Sequence, residues 1–122
     1  MILADTSIWI DHLRIGDPSL VTLLQTSQVV THTFVIGEIA LGSLHKRSLV
    51  LDNLDNLPKL PSATDHEVRH LIEREGLFGR GIGYIDAHLI AAVRLAPGTQ
   101  LWTRDKRFKV NLDDMGLSAN LN

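Results

Sequence analysis

The sequence predicts an α/β domain: a central, mainly parallel sheet of four to five strands flanked by helices. Two observations predict it. Short apolar runs alternate with longer amphipathic stretches along the whole chain, and no repeat, low-complexity tract or linker interrupts them. Parallel strands joined by helical crossovers are the natural solution to that order. With 122 residues and 44% hydrophobic side chains, the chain is expected to form one domain over residues 1–122 with a real core.

Each element has a local reason. Ile2-Leu3-Ala4 reads as a first strand, and Thr6 or Ser7 can cap a helix through about Leu13. A second helix follows Pro18, and Val29-Val30-Thr31 is the next strand. Helices are expected from Phe34 to about Leu44 and from Leu49 to about Leu54. Pro58 and Pro61 bracket a short or edge strand around Leu60. Thr64 and Glu67 make a T-x-x-E capping box that opens a helix ending at Gly76. Gly76, Gly79, Gly81 and Gly83 form a loop. Ile85 to Ala96 is a strongly apolar helix closed by Pro97-Gly98, and Gln100-Leu101-Trp102-Thr103 is a strand. A short helix from Lys106 and an extended piece near Leu117 complete the chain. Trp9 and Ile10 are expected in the core, and His12, His32, His45 and His88 as structural or exposed groups.

Composition removes several classes of function. The chain has no cysteine, which excludes disulfides, thiolate metal sites and cysteine nucleophiles. MILADTSIWIDHLR lacks the basic lead-in and cleavage site of a signal peptide, and no apolar run is long enough to span a bilayer. A soluble, cytoplasmic protein is expected. A net charge of −2 supplies no global attraction to nucleic acid, so such a role must rest on a local basic patch.

DHEVRH, residues 65–70, contains H-E-x-x-H, in which two helical histidines can hold zinc beside a glutamate base. A zinc metalloprotease needs a third ligand downstream and a cleft. His88 is not at a convincing spacing, Arg69 sits inside the motif, and Glu67 already serves the capping box. The motif reads as a solvated helix face.

The placement of the acids is more informative. In parallel sheets, ligands bind beyond the carboxyl ends of the strands. Asp5 ends the first strand, and Asp105 follows the strand Leu101-Trp102-Thr103. Glu38 has Phe34, Val35, Leu41 and Gly42 three and four positions away, so it is expected to point inward from an apolar stripe. Asp86 opens the apolar helix and is also expected to point inward. Asp5, Asp86 and Asp105 each have a second reading as helix caps. Four converging acids raise one another's pKa values unless a cation neutralises them. Oxygen ligands without cysteine favour Mg²⁺ or Mn²⁺, a setting suited to phosphodiester hydrolysis.

These segments, MILADTSIWIDHL, VIGEIALG around Glu38, GIGYIDAHLIAAV around Asp86 and LWTRDKRF around Asp105, resemble the PIN-domain ribonucleases. Within that family the chain is similar to the VapC-type toxins of type II toxin–antitoxin pairs. The resemblance covers nearly the whole chain in order and spacing. It implies a PIN fold, Mg²⁺-dependent endoribonuclease activity on RNA phosphodiester bonds, a homodimer and inhibition by a cognate antitoxin. Asp5, Glu38, Asp86 and Asp105 match the family's acidic tetrad, with Asp105 at its least uniform position. Thr6, Ser7 and Thr103 match its polar positions.

Residue chemistry then suggests roles. Asp5 and Asp86 are the direct metal ligands, Asp105 ligates directly or through water, and Glu38 completes the shell or orients the attacking water. Arg104, Lys106, Arg107 and Lys109 make one basic stretch suited to RNA phosphates, or else a solvated helix surface. Arg80 in GLFGRGIG is a further candidate to meet RNA or an antitoxin carboxylate. Apolar positions left on the helices from Pro18 to Leu54 suit a dimer face or an antitoxin groove. A housekeeping PIN nuclease without an antitoxin is the nearest alternative. A response-regulator receiver is disfavoured because Asp5 has no acidic neighbour and the third strand region is LPKLP. A haloacid-dehalogenase-type phosphatase needs aspartate where Ser7 stands.

Overall fold

The computed structural model describes residues 1–121. Its elements run β1 (Ile2–Ala4), α1 (Thr6–Ile15), α2 (Pro18–Gln25), β2 (Val29–Val30), α3 (Thr33–Ala40), α4 (Arg47–Asp55), α5 (Asp65–Glu75), α6 (Tyr84–Arg94), β3 (Gln100–Trp102) and α7 (Lys106–Met115). The sheet is parallel throughout, in the order β2-β1-β3, with Ile2 beside Val29 and Gln100 and Leu3 beside Val30 and Leu101. β1 is therefore the central strand. Its Leu3 and Ala4 have no exposed surface, as a strand covered on both faces requires.

Among the described residues three strands form, where four to five are expected. The segments around Leu60 and Leu117 each contribute one parallel bridge, Thr31 with Lys59 and Leu101 with Ser118. The first stops early: Thr31 donates to the Pro58 carbonyl at 2.8 Å and accepts from the Leu60 N–H at 2.9 Å, but the next rung would fall at Thr33, where the chain has already turned into α3. On the other edge, Leu101 donates to the Leu117 carbonyl at 2.8 Å and accepts from the Ala119 N–H at 3.0 Å.

The helices follow the sequence reading with a few shifts. α1 is capped by Asp5, whose Oδ1 accepts the Ile8 N–H at 3.3 Å, rather than by Thr6 or Ser7. The capping box on α5 is present in both directions, Thr64 Oγ1 taking the Glu67 N–H and Glu67 Oε1 the Thr64 N–H. α7 is ten residues long rather than short. On α1, Trp9 is buried, but Ile10 points outward with half its surface exposed, because Ile8 and Trp9 occupy the face turned to the core.

The core gathers Leu3, Leu101 and Trp102 of the sheet with Ile8, Leu20, Val35, Leu89, Ile90, Phe108 and Leu112 of the helices. Each such aliphatic or aromatic side chain contributes about 1.5–3 kcal/mol when fully buried. α6 is covered over seven consecutive residues, Ala87 to Val93, which accounts for its nearly unbroken apolar sequence. Among the described residues no helix is long and apolar enough to cross a membrane. Because the strands are parallel, β1 and β3 deliver the residues after them, Asp5 and Thr103 to Asp105, to the same edge of the sheet.

Candidate active site

Asp5 is fixed by where β1 stops. Its N–H donates to the Trp102 carbonyl at 3.0 Å, the last rung between β1 and β3, and its side chain turns into the first turn of α1. Oδ1 receives the Ser7 hydroxyl at 2.5 Å as well as the Ile8 N–H. Burial raises the Asp5 pKa, and the Ser7 and Thr103 hydroxyls and the Ile8 N–H offset only part of that rise. Ser7 has one proton, given to Asp5, so its oxygen is an acceptor for the Arg104 N–H at 3.0 Å. Thr103 Oγ1 lies 3.4 Å from Ser7 Oγ and accepts the Asp105 N–H at 3.1 Å. Hydroxyls therefore link the ends of β1 and β3.

Asp105 caps α7, with Oδ1 accepting the Phe108 N–H at 3.1 Å. Asp86 occupies the third position of α6, with Oδ2 accepting the Gly83 N–H at 3.3 Å. The cap readings of these three aspartates thus hold, and they do not compete with convergence. Burial first, then Asp5, Asp105 and Glu38 nearby, push the Asp86 pKa up to about 6, against a lowering by the Gly83 N–H. Asp86 of α6 thus feels Glu38 of α3 and the two cap residues Asp5 and Asp105 electrostatically.

Glu38 differs from the sequence reading. It is exposed on α3, where the buried stripe is Val35 and Ile39 while Leu41 and Gly42 also face outward. Apolar neighbours at helical spacing therefore misled the assignment of its direction. Its Oε1 takes the Thr6 hydroxyl at 2.7 Å, which points Glu38 along α1 toward Asp5. Each of the four carboxylates is thus tethered through one oxygen: Asp5 Oδ1, Glu38 Oε1, Asp86 Oδ2 and Asp105 Oδ1.

The family model for the PIN domain matches residues 2–111, from the start of β1 to the buried Asn111 of α7. The chain belongs to the PIN-domain family. Among curated proteins, Ribonuclease VapC32 of Mycobacterium tuberculosis, present in two strains, is 48% identical over 118 residues, covering 97% of this chain and 95% of the relative.

The basic stretch of this PIN domain divides. Arg104 turns away from the strand-end acids, with one guanidinium nitrogen 2.9 Å from Asp11 Oδ2, the other on Asp17 Oδ2, and its plane over Trp102. Burial raises the Asp17 pKa, but the Arg104 hydrogen bond and the Leu20 N–H bring it below the ordinary aspartate range. Sequence reasoning overlooked Asp17, although Asp17-Pro18 is a helix-start signal, and Asp17 Oδ1 does cap α2. Lys106 and Arg107 are exposed at the start of α7.

H-E-x-x-H meets a different fate from a zinc site. His66, Glu67 and His70 are exposed on α5, and Glu67 is engaged by the Thr64 N–H. His88 is buried on α6, with Nε2 3.2 Å from Asp65 Oδ1, which also accepts the Tyr84 hydroxyl at 3.1 Å. Asp65 thus ties α5 to α6. His32 Nδ1 accepts the Phe34 N–H at 3.0 Å, leaving its proton on Nε2 toward Ser62. Burial and then the nearby His88 hold the His32 pKa below the usual value, so this imidazole is a neutral structural group. Among the described residues, no group of three or more His, Asp or Glu side chains is placed so as to hold a metal ion.

Proposed function

We propose that this PIN domain is a Mg²⁺-dependent endoribonuclease that hydrolyses RNA phosphodiester bonds, and that it is the toxic member of a VapBC-type toxin–antitoxin pair. The observation that carries the proposal is that parallel β1 and β3 deliver Asp5 and Asp105 to one edge of the sheet, where Asp86 of α6 feels both of them together with Glu38. Such a cluster is costly until a cation enters it. The donor set fits a hard ion: all carboxylate, with one oxygen of each already tethered. An all-oxygen donor set suits Mg²⁺, with Mn²⁺ as a substitute. The name of the relative, Ribonuclease VapC32, supports RNA as the substrate.

Asp5, Asp86 and Asp105 would hold the ion, and Glu38 would complete its shell or orient a water beside it. When bound, the ion lowers the pKa of water and stabilises the leaving oxygen. Ser7 and Thr103 keep Asp5 aimed across the ends of β1 and β3, and Thr6 does the same for Glu38. Lys106 and Arg107 face RNA phosphates, whereas Arg104 braces α1 and α2 through Asp11 and Asp17.

The protein works in the cytoplasm as a homodimer. α1, α2 and α4 enclose an apolar cavity of about 320 Å³ lined by Trp9, Leu13, Leu24, Val50, Leu54 and Leu57, which suits an antitoxin helix. A basic side chain from the same antitoxin would enter the acidic site.

The test is cleavage of a single-stranded RNA by purified protein with Mg²⁺, Mn²⁺ or chelator, together with growth on expression with and without the adjacent reading frame. Metal-dependent cleavage and growth arrest relieved by that frame are expected. Cleavage without growth arrest would leave a housekeeping nuclease.

A further inference from the structure

α7 begins Lys106-Arg107 directly after the cap Asp105, with no acid in its first turn. That placement is unfavourable in isolation: a helix N-terminus carries partial positive charge, and two cations there repel it and each other. Across from them, the loop between α5 and α6 comes close. Gly81 has φ +77, and a Cβ built on it would lie 2.9 Å from both Cδ and Nη1 of Arg107. Arg107 is therefore laid against the loop backbone at a position only glycine leaves open. Arg80 of the same loop is held by its Nε, which donates to the Gly76 carbonyl at 2.9 Å. Arg80, Lys106 and Arg107, with Val110 and Asn111, line a cavity of about 280 Å³. The counter-charge is slight: Asp114 lies 3.9 Å from Arg80 Nη1, both largely exposed. Among the described residues no ion pair reaches Lys106 or Arg107.

We propose that the Arg80–Lys106–Arg107 cavity, opened by Gly81, is a subsite for a backbone phosphate of single-stranded RNA next to the phosphate being cut. This rests on the nuclease reading above and gives Arg80, Lys106 and Arg107 one shared place in the substrate. An anion in the cavity gains three cations, offsetting the cost of that charge placement. Lys106 follows Asp105 directly, so the cavity begins beside the strand-end acids. Val110, 59% exposed on the adjoining turn, offers an apolar surface for the attached sugar or base.

The test measures binding of a short single-stranded RNA to the full chain in chelator across a salt series, and then KM and kcat for cleavage in Mg²⁺. Arg80→Ala and Arg107→Ala should each weaken binding about tenfold, flatten the salt slope by about 0.7, and raise KM while kcat stays nearly constant. Gly81→Ala retains every charge and displaces Arg107, so it should also raise KM, with the fold checked by circular dichroism. Arg69→Ala, exposed on α5, serves as the control and should change nothing. Wild-type cleavage with unchanged KM and salt slope in Arg107→Ala and Arg80→Ala would overturn the subsite and leave the nuclease reading standing. Metal-dependent cleavage absent from wild type would instead sink the nuclease reading, and loss of RNA binding in the variants would still support the subsite. Unchanged RNA binding with loss of antitoxin binding would overturn it in favour of a protein contact.

Discussion

Ser7 donates a 2.5 Å hydrogen bond to Oδ1 of Asp5 and simultaneously accepts the N–H of Arg104, so one hydroxyl spans the end of β1 and the residue after Thr103. Ser7→Ala leaves the Arg104 N–H without this acceptor and removes a bond that lowers the Asp5 pKa. A stability loss of about 1–3 kcal/mol is expected, with weaker Mg²⁺ binding. Ser7→Thr should recover most of both. Thermal melts and calorimetry on the two variants check this, and an alanine variant matching wild type in metal affinity would exclude the orienting role.

Asp86 sets a pH dependence whose sign can be worked out. Its pKa is raised from 3.8 to about 6, so between those values the folded state binds more protons than the unfolded state. Stability therefore falls as pH rises through that window, by well under the ~1.4 kcal/mol per pH unit of a fully buried group, because water screens the half-buried carboxylate. Asp86→Asn should abolish most cleavage, raise the apo melting temperature near neutral pH and flatten the pH curve. Mg²⁺ should stabilise wild type more than the variant. An apo variant with the same acid-range profile as wild type would show that Asp86 carries no such burden.

Asp5→Asn keeps the shape of the residue and can still accept the Ile8 N–H, so the fold should survive while RNA cleavage is lost. A variant that binds metal and cuts RNA like wild type would reduce Asp5 to a helix cap.

Asp17 works in the opposite direction from Asp86. Burial raises its pKa, but Arg104 and the Leu20 N–H together lower it, so its stabilisation is present above the ordinary aspartate range and disappears as pH falls through the depressed value. Arg104→Ala strips both Asp11 and Asp17 of their shared cation and should cost about 1–3 kcal/mol, with the loss shrinking in acid. Urea melts at neutral and low pH measure it. RNA affinity should change less than stability does.

His66→Ala with His70→Ala should leave folding within about 0.5 kcal/mol and cleavage unaltered, because both imidazoles are exposed and Glu67 is tied to Thr64. Stoichiometric zinc in wild type that vanishes in the double variant would refute this.

How far the sequence could be read follows from range of interaction. Local signals spoke clearly: the Thr64–Glu67 box, the Gly76 stop and the apolar α6 are set by neighbours within one turn. The strand-end positions of Asp5 and Asp105 were legible for the same reason. The direction of Glu38 was not, because Leu41 and Gly42 are apolar yet outward, and the deciding partner Thr6 lies on another helix. The clamp of Arg104 between Asp11 and Asp17, and the approach of Gly81 to Arg107, join residues distant in sequence and left no periodic trace. The thin edge strands were foreshadowed by Pro58 and Pro61, though not their reduction to single bridges.

The strand order carries a consequence for birth rather than for chemistry. Ile2 is among the first residues made, yet its partners are Val29 and Gln100, and Thr103 and Asp105 come later still. Such long-range parallel pairing closes slowly and only when both partners exist. A polypeptide still being translated carries Asp5 and Glu38 with nothing opposite them. Maturation of the site thus waits for the final segment of the chain, and truncated products arising from stalled synthesis carry an incomplete set of carboxylates.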